Sequence, residues 1–291
     1  MVLAASFVRA SPLARHRTCC ATPDLDTMNA SEKMPRHATE TVLNRSLERG
    51  LLLLRAFGPG ADALGNGDFV ERTGLPKATV SRLARTLVEC GFLQHDAVRQ
   101  VYRLGVPVLS VAHAMRTGSR ILQASTPLMR EVAQKCQINV GLAAADGDDM
   151  VYLESFRYNQ RASLRTVVSG QRVPMELTAL GRAHLSTLDD GERAQRLASL
   201  ERRASRHWKP IRRQILDAID HVRRLGYCVA SWQPEVVALA TPLTVTGHPP
   251  VMLNFSVRTT DTPSDVSTAL AASLLQLRDA IVHAMAVLEN D

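Results

Sequence analysis

Several signatures of metal-binding and catalytic proteins are missing from this sequence. Its five cysteines are odd in number, scattered, and never in the two-residue spacing of a zinc ribbon or a redox motif. The nine histidines are equally dispersed and form no H-E-x-x-H pair, so we expect no metal and no cofactor. The sequence also has no G-x-S-x-G elbow, no P-loop and no G-x-G-x-x-G, and we therefore assign no catalytic residue.

Long apolar runs are missing as well. No stretch of about 18 apolar residues occurs, and we therefore expect neither a transmembrane helix nor a membrane partner. Unpaired cysteines indicate a cytoplasmic protein. Cys90 and Cys228 lie in apolar patterns, where they are expected to be small core residues.

Composition and length limit the number of domains and the class of protein. The 291 residues allow two domains, and 45% hydrophobic with 22% charged residues is a soluble, globular balance. The net charge of +7 suits a polyanionic partner without proving one. Residues 1–43 are mostly polar and aperiodic, which predicts a disordered tail. Met28 or Met34 is an alternative start codon.

The most informative segment runs from Gly67 to Gly105. Residues 68–72 form a short helical pattern that Gly74 ends, because glycine adopts a left-handed backbone without strain. Pro76 suits the start of the next helix, which we place at residues 77–90. The two patterns predict a helix-turn-helix.

Two short strands, at residues 92–95 and 101–104, then predict a wing. A preceding apolar helix begins at Ser46, a good N-cap. Short helix pairs also occur in domains that bind nothing, but the polar start of the second helix, the hairpin and the apolar helix together favour DNA binding. The side chains that we expect to contact DNA lie outside the apolar stripe or on the wing: Lys77, Thr79, Ser81, Arg82, Arg85, Arg99 and Arg103.

Residues 106–137 read as linker and dimerisation helices. An apolar helix near residues 106–115 needs a partner surface, which predicts a homodimer or a dimer of dimers. A second helix follows from about Ser119 to Lys135, and Pro127 either kinks it or starts a new one. Residues 138–291 alternate strands and helices, which predicts an α/β domain with a mostly antiparallel sheet.

The sequence also resembles a known family. The runs RSLERGLLLLRAF, ERTGLPKATVSRLARTLVECGFL and YRLG resemble the DNA-binding domain of IclR-type bacterial transcription regulators, named for the isocitrate lyase regulator. VPMELTALGRAHL and RRLGYCVASWQPEVVALATPL resemble the effector-binding domain of the same family. The resemblance covers about residues 44–290. It implies an α+β protein with a winged helix-turn-helix domain (44–105), a linker helix (106–137) and a GAF-like α/β effector-binding domain (138–291).

The resemblance further implies an effector pocket that is lined from four stretches. Transferred motif by motif, its residues are Ala162, Arg165, Ala179, Leu180, Ser231, Val236, Ala238, Asn254 and Ser256. The chain departs from the family between residues 226 and 242, where it is about two residues shorter and Ser231 stands where acidic residues are common.

Arg165 is the residue on which the ligand class depends. A guanidinium matches a carboxylate in two parallel bonds, so we expect a small organic acid effector, facing Arg165, with Asn254 and Ser256 as hydrogen-bond donors or acceptors. Pairing of Arg165 with Glu176 or Glu154 as a structural contact is the alternative.

The predicted function is therefore effector-controlled, sequence-specific binding of double-stranded operator DNA. The alternative is an α/β small-molecule enzyme or hydrolase with an appended nucleic-acid-binding module. Glu176, His184 and Asp189 lie near the expected pocket, but nothing places a nucleophile beside a base.

Overall fold

The computed structural model describes residues 44–58, 60–158, 168–204 and 207–290. The first part of the described chain is a three-helix unit with a hairpin. Leu53, Phe69, Val80 and Leu93, one from each of four of its elements, are almost completely buried and form its core. Its elements are α1 (Arg45–Arg55), α2 (Asn66–Thr73), α3 (Lys77–Glu89), β1 (Leu93–Asp96) and β2 (Val101–Leu104).

The ends of these helices have local causes. The residue before α3, Pro76, has φ −59°, which suits entry into a helix. Gly74 ends α2 with φ 68°, the left-handed conformation expected of a glycine cap. The prediction that Ser46 caps α1 is wrong. Asn44 is the N-cap, because its side-chain oxygen accepts hydrogen bonds from the backbone nitrogens of Ser46 and Leu47, both at 3.1 Å.

The two cysteines that were expected in the core differ in burial. Cys228 is completely buried, as predicted, and its burial raises the pKa of the thiol to about 12. Cys90 is exposed, contrary to the prediction. Its spacing from Leu87 continues the apolar stripe of α3, but the helix ends at Glu89, and Cys90 lies beyond the last turn that covers the core.

Two helices lead from the hairpin to the second part of the chain. They are α4 (Val106–Thr117) and α5 (Arg120–Cys136). The helix α4 has no buried residue, whereas α5 packs Met129 and Ala133 against the sheet described below. Pro127 starts no new helix, because α5 continues through it to Cys136.

Six strands of the described residues form a sheet at the centre of the second part. The strand order is β5-β4-β3-β8-β7-β6, and every neighbouring pair is antiparallel. The edge strands are β5 and β6, whereas β3 and β8, the first and last strands of this sheet in sequence, pair at its centre although more than 100 residues separate them. The strands are β3 (Asn139–Asp146), β4 (Asp149–Phe156), β5 (Arg172–Pro174), β6 (Cys228–Gln233), β7 (Val236–Leu243) and β8 (Val251–Arg258).

Helices cover both faces of this sheet. One face carries Ala143, Ala240 and Met252 and packs against α6 (Ala179–Thr187), with α7 (Asp190–Ala204) and α8 (Trp208–Leu225) outside it. The other face packs against α5 and α9 (Pro263–Asn290). The second part is thus a three-layer α/β/α arrangement with one apolar core on each side of the sheet.

One helix of the described chain, α9, is long and apolar enough to cross a bilayer, with a mean hydropathy of 1.3. Its inner face is occupied by protein. Leu274, Leu277 and Ile281 are buried in the core that α9 shares with α5 and the sheet, and Met285 is also buried. The helix therefore packs one face against the protein, and length and composition alone are weak evidence for a membrane span.

Candidate DNA interface and ligand pocket

The first candidate surface is the face of α3 that points away from the core. Val80, Leu83 and Ala84 are buried, which fixes the orientation of the helix about its axis. The predicted contact residues on the other side are exposed (Lys77, Arg82, Arg85) or half-buried (Thr79, Ser81). Among the described residues, no acidic side chain forms an ion pair with any of these three cations. The face therefore presents positive charge to solvent.

The wing supplies the other two predicted residues, in different surroundings. Arg99 is exposed in the turn between β1 and β2, where its backbone nitrogen donates to Asp96 Oδ1 at 3.0 Å. Arg103, on β2, is half-buried and forms an ion pair with Asp62 at 3.1 Å. Of the two guanidinium groups, that of Arg99 is the more accessible to a phosphate. Both residues remain predicted contacts.

A chain of alternating charges leads from α1 to the sheet. Asp146, at the end of β3, forms ion pairs with Arg55 of α1 and, at 2.5 Å, with Arg172 of β5. Burial alone would raise the pKa of Asp146, but the hydrogen bonds from Arg172 and Arg55 outweigh it and hold the pKa below its usual value of 3.8. The carboxylate thus stays charged, and it bridges the helix-turn-helix unit and the sheet.

The same chain continues across the sheet edge. Arg172 also contacts Asp149 at 3.1 Å, and Asp149 accepts from Arg203 of α7 at 2.7 Å. Arg203 in turn pairs with Glu176, whose side chain is only 7% exposed. Arg203 belongs to an arginine-rich stretch, and its contacts are structural ion pairs.

The predicted effector residues are in several places. Asn254 and Ser256 lie on the face of β8 that α6 covers, and Ala238 is directly opposite Ser256 in the register of β7. Ala179 and Leu180 are buried in the first turn of α6. The others are Val236, which is half-buried on β7, Ser231, which is exposed at the irregular end of β6, and Ala162 and Arg165, which lie outside the described residues.

A small pocket lies beside Asn254 and Ser256, with a cavity volume of about 20 Å³, which is room for one water-sized group. It opens where the first residues of β3 meet the last residues of β8. Its lining is polar and comes from three strands and the residue after β4: Asn139, Val140, Gly141, Tyr152, Ser155, Arg157, Asn254 and Ser256. The other predicted effector residues with described positions are not part of this lining.

Close packing shapes the floor of this pocket. A Cβ atom at Gly141 would lie 2.5 Å from Asn254 Oδ1 and 2.5 Å from Tyr152 Cε1, so only glycine fits there. Tyr152 is 8% exposed, and its burial raises the pKa of the phenol to about 12, although a hydrogen bond with Asn254 acts in the opposite direction. The phenol is therefore protonated at neutral pH.

Sequence reasoning missed four polar or aromatic residues and one glycine of this lining. Asn139, Tyr152, Ser155, Arg157 and Gly141 belong to β3, to β4 or to the residue that follows it, and no motif singled them out. The available signal was the polar Asn139 and the glycine at position 141 at the start of an otherwise apolar strand. Such a glycine is typical of a close approach by another group.

The residues considered for catalysis have other contacts. Glu176 pairs with Arg203, and Asp189 Oδ1 accepts from the backbone nitrogen of Glu192 at 2.8 Å, which caps α7. His184 is buried in α6, and its Nδ1 has no hydrogen-bond partner among the described residues. Glu154, one alternative partner of Arg165, pairs with Arg116 at 2.6 Å. Within the described ranges, no group of three or more His, Cys, Asp or Glu side chains is arranged to hold a metal ion.

Comparison with known proteins identifies both parts of the chain. Residues 46–97 match the sequence model of the IclR helix-turn-helix domain, and residues 113–262 match that of the bacterial transcriptional regulator IclR C-terminal domain. The HTH-type transcriptional regulator TsaQ1/TsaQ2 of Comamonas testosteroni is 35% identical over 193 residues, which is 65% of this chain and 68% of that protein.

Solved structures of similar fold support the same family. An IclR family transcriptional regulator from Brucella abortus superposes with a TM-score of 0.75 at 28% identity, over 88% of this chain and 96% of that one. An IclR homologue from Microbacterium hydrocarbonoxydans, crystallised in complex with 4-hydroxybenzoate, has a TM-score of 0.64 at 19% identity, over 83% and 98% of the two chains, and shows the shared fold. With two family domains matched in order over more than half of its length, the chain belongs to the IclR family of bacterial transcriptional regulators.

Proposed function

We propose that α3 is the recognition helix of this regulator and reads its operator in the major groove. The observation that carries this proposal is the exposed cationic face of α3, where Lys77, Arg82 and Arg85 have no ion-pair partner among the described residues. Thr79 and Ser81 add hydroxyl groups to the same helix, and Arg99 on the wing contacts the phosphate backbone. Arg103 reaches the backbone after exchanging its ion pair with Asp62.

Replacement of Arg82 by alanine is expected to weaken binding to the cognate operator by about 1–3 kcal/mol, with a much smaller loss on random DNA. The reason is that Arg82 contacts a base edge, whereas a phosphate contact contributes to all sequences alike. The measurement is a gel-shift titration at fixed salt, on an operator that is selected with the wild-type protein from a random DNA library.

Arg212→Ala is a suitable control, because Arg212 is exposed on α8, outside the helix-turn-helix unit. Equal losses on operator and random DNA would mean that Arg82 contacts only phosphate. Unchanged operator affinity would contradict the proposal that α3 reads the operator through Arg82.

We also propose that the regulator acts as a homodimer or a dimer of dimers, formed through α4. Its side chains Val106, Leu109, Val111 and Met115 are 54–72% exposed, which is unfavourable for an apolar helix in an isolated chain. A two-fold assembly also matches a palindromic operator.

Light scattering at micromolar concentration is expected to report at least twice the chain mass of 31.9 kDa. Leu109→Glu should shift the protein towards monomer, because it places a charge within the apolar contact. Leu216→Glu, at an exposed leucine of α8, should leave the mass unchanged. A wild-type protein that stays monomeric and protects a single half-site would contradict this assembly.

We propose, finally, that a small organic acid controls operator binding from the α6-covered face of the sheet. The fold neighbour that was crystallised with 4-hydroxybenzoate supports this ligand class, and Asn254 and Ser256 in a polar pocket support the location. Arg165 stays a predicted carboxylate ligand, and Ala162, Ala179, Leu180, Ser231, Val236 and Ala238 stay predicted pocket residues. The ion pairs through Asp146 connect this domain to α1.

The regulator is proposed to act in the cytoplasm without catalysis. The contacts of Glu176 and Asp189 are those of structural ion pairs and caps, which favours ligand sensing over turnover. No second function is favoured by a specific observation.

A further inference from the structure

One atom of the pocket wall stands out by its lack of a partner. The side chain of Asn254 is 3% exposed, and its carbonyl oxygen Oδ1 has no hydrogen-bond partner among the described residues. Buried polar atoms of native proteins are nearly always satisfied, and one that is not calls for an explanation. The oxygen is an acceptor only, so whatever satisfies it must bring an O–H or N–H group.

The surroundings of Asn254 keep this oxygen available. Gly141 lies directly opposite Asn254 in the register of β3 and β8, and any side chain at position 141 would collide with Oδ1. The neighbouring Tyr152 is a phenol and therefore neutral at physiological pH, so its oxygen is a second uncharged polar group at the floor. The floor therefore favours a neutral hydrogen-bonding group.

The rest of the lining suits the polar end of a small ligand. Ser155 and Ser256 carry hydroxyl groups, and Arg157 contributes positive charge to the same wall. The cavity volume of about 20 Å³ holds one water-sized group, such as the hydroxyl of a small molecule whose remainder lies in the open part of the pocket. A neutral hydroxyl of that molecule is favoured next to Asn254.

We propose that this pocket selects hydroxylated organic acids, with Asn254 Oδ1 accepting the hydrogen bond of the ligand's hydroxyl group. The inference rests on the proposed control by an organic acid and narrows its ligand class. An acid without the hydroxyl leaves Oδ1 buried and unpaired, and sites built to hydrogen-bond a hydroxyl reject such analogues strongly. Asn254 is thus a specificity-determining residue.

The test compares acids that differ only by a hydroxyl group. Calorimetric titrations of the full chain use 4-hydroxybenzoate with benzoate, 4-hydroxyphenylacetate with phenylacetate, and 3-hydroxybutyrate with butyrate. The wild-type protein should bind at least one hydroxylated acid about 10-fold or more tightly than its partner. Asn254→Leu should bind both members of that pair with nearly equal Kd. Asn254→Ala removes the same acceptor without added bulk, should the leucine variant fold poorly.

Gln233→Leu is the matched control, because it removes an amide from the same sheet outside the pocket lining and should keep the discrimination. Discrimination that persists in both Asn254 variants would overturn the proposal. The proposal would also be overturned if the wild-type protein bound the acids without preference for the hydroxyl group, because water would then be the partner of Oδ1. The proposed control by an organic acid would still stand in that case. No binding of any of the six acids would reject both the hydroxyl selection and the proposed organic acid control.

Discussion

Replacement of Gly181 by alanine is expected to lower the free energy of unfolding of the sheet-containing domain by about 3 kcal/mol, the upper part of the range for overpacked cores. A Cβ atom at this position would lie 2.0 Å from the carbonyl oxygen of Met175 and 2.4 Å from its Cα atom. Both are backbone atoms and cannot rotate away. The helix α6 would have to move off the segment that precedes it, although Ala179–Leu185 are all buried.

Gly67→Ala provides the matched comparison. Gly67 lies within α2, is exposed, and has no atom within 4 Å of an added Cβ. Alanine should therefore raise the free energy of unfolding by about 0.4–1 kcal/mol, because it reduces the entropy of the unfolded chain and favours the helix. Urea unfolding, followed by circular dichroism, measures both changes. A Gly181→Ala protein as stable as the wild type would show that α6 does not approach Met175 this closely.

The stability of the protein is expected to depend on pH through His184. Burial, aided by the positive charge of Arg196, lowers the pKa of His184 from 6.5 to about 4 in the folded protein. Between these two values the unfolded chain binds a proton that the folded chain does not. The free energy of unfolding therefore falls as the pH is lowered from 6.5 towards 4, by about 3 kcal/mol in total.

Urea midpoints at several pH values between 4 and 7 test this dependence. His184→Gln should remove most of the slope, since glutamine does not titrate, and His283→Gln, at an exposed position of α9, should keep it. A slope that is the same in wild type and His184→Gln would mean that another group causes it.

Local features of the sequence sufficed for the helix-turn-helix unit. The apolar stripe of Val80 and Leu83, the glycine at position 74 and the strands of the wing all depend on residues within a few positions of each other. Helix periodicity and turn chemistry act over that range, so the bounds of α3 and β2 agreed with the prediction to within one residue. The predicted N-cap of α1 was wrong because Asn44 and Ser46 are both good capping residues, and only the backbone conformation decides between them.

The family resemblance predicted Asn254 and Ser256 as pocket residues, but it did not predict which residues contact them. Gly141 and Tyr152 are distant from Asn254 in sequence and reach it only through the pairing of β3 with β8 and β4. The charge chain from Arg55 through Asp146 to Arg172 is likewise a product of tertiary packing. No periodicity encodes such contacts, because a strand's pattern specifies its buried face and not its neighbour.

The sequence by itself therefore determined the order of the two domains, the helix-turn-helix, the wing and the family. Only the tertiary structure decided that Cys90 is exposed, that Arg203 serves an ion-pair chain, and that the side-chain oxygen of Asn254, beside a glycine, has no hydrogen-bond partner among the residues that the structure describes. The physical reason is range: propensity and capping act between neighbours along the chain, whereas burial and hydrogen-bond satisfaction depend on which distant strands come together.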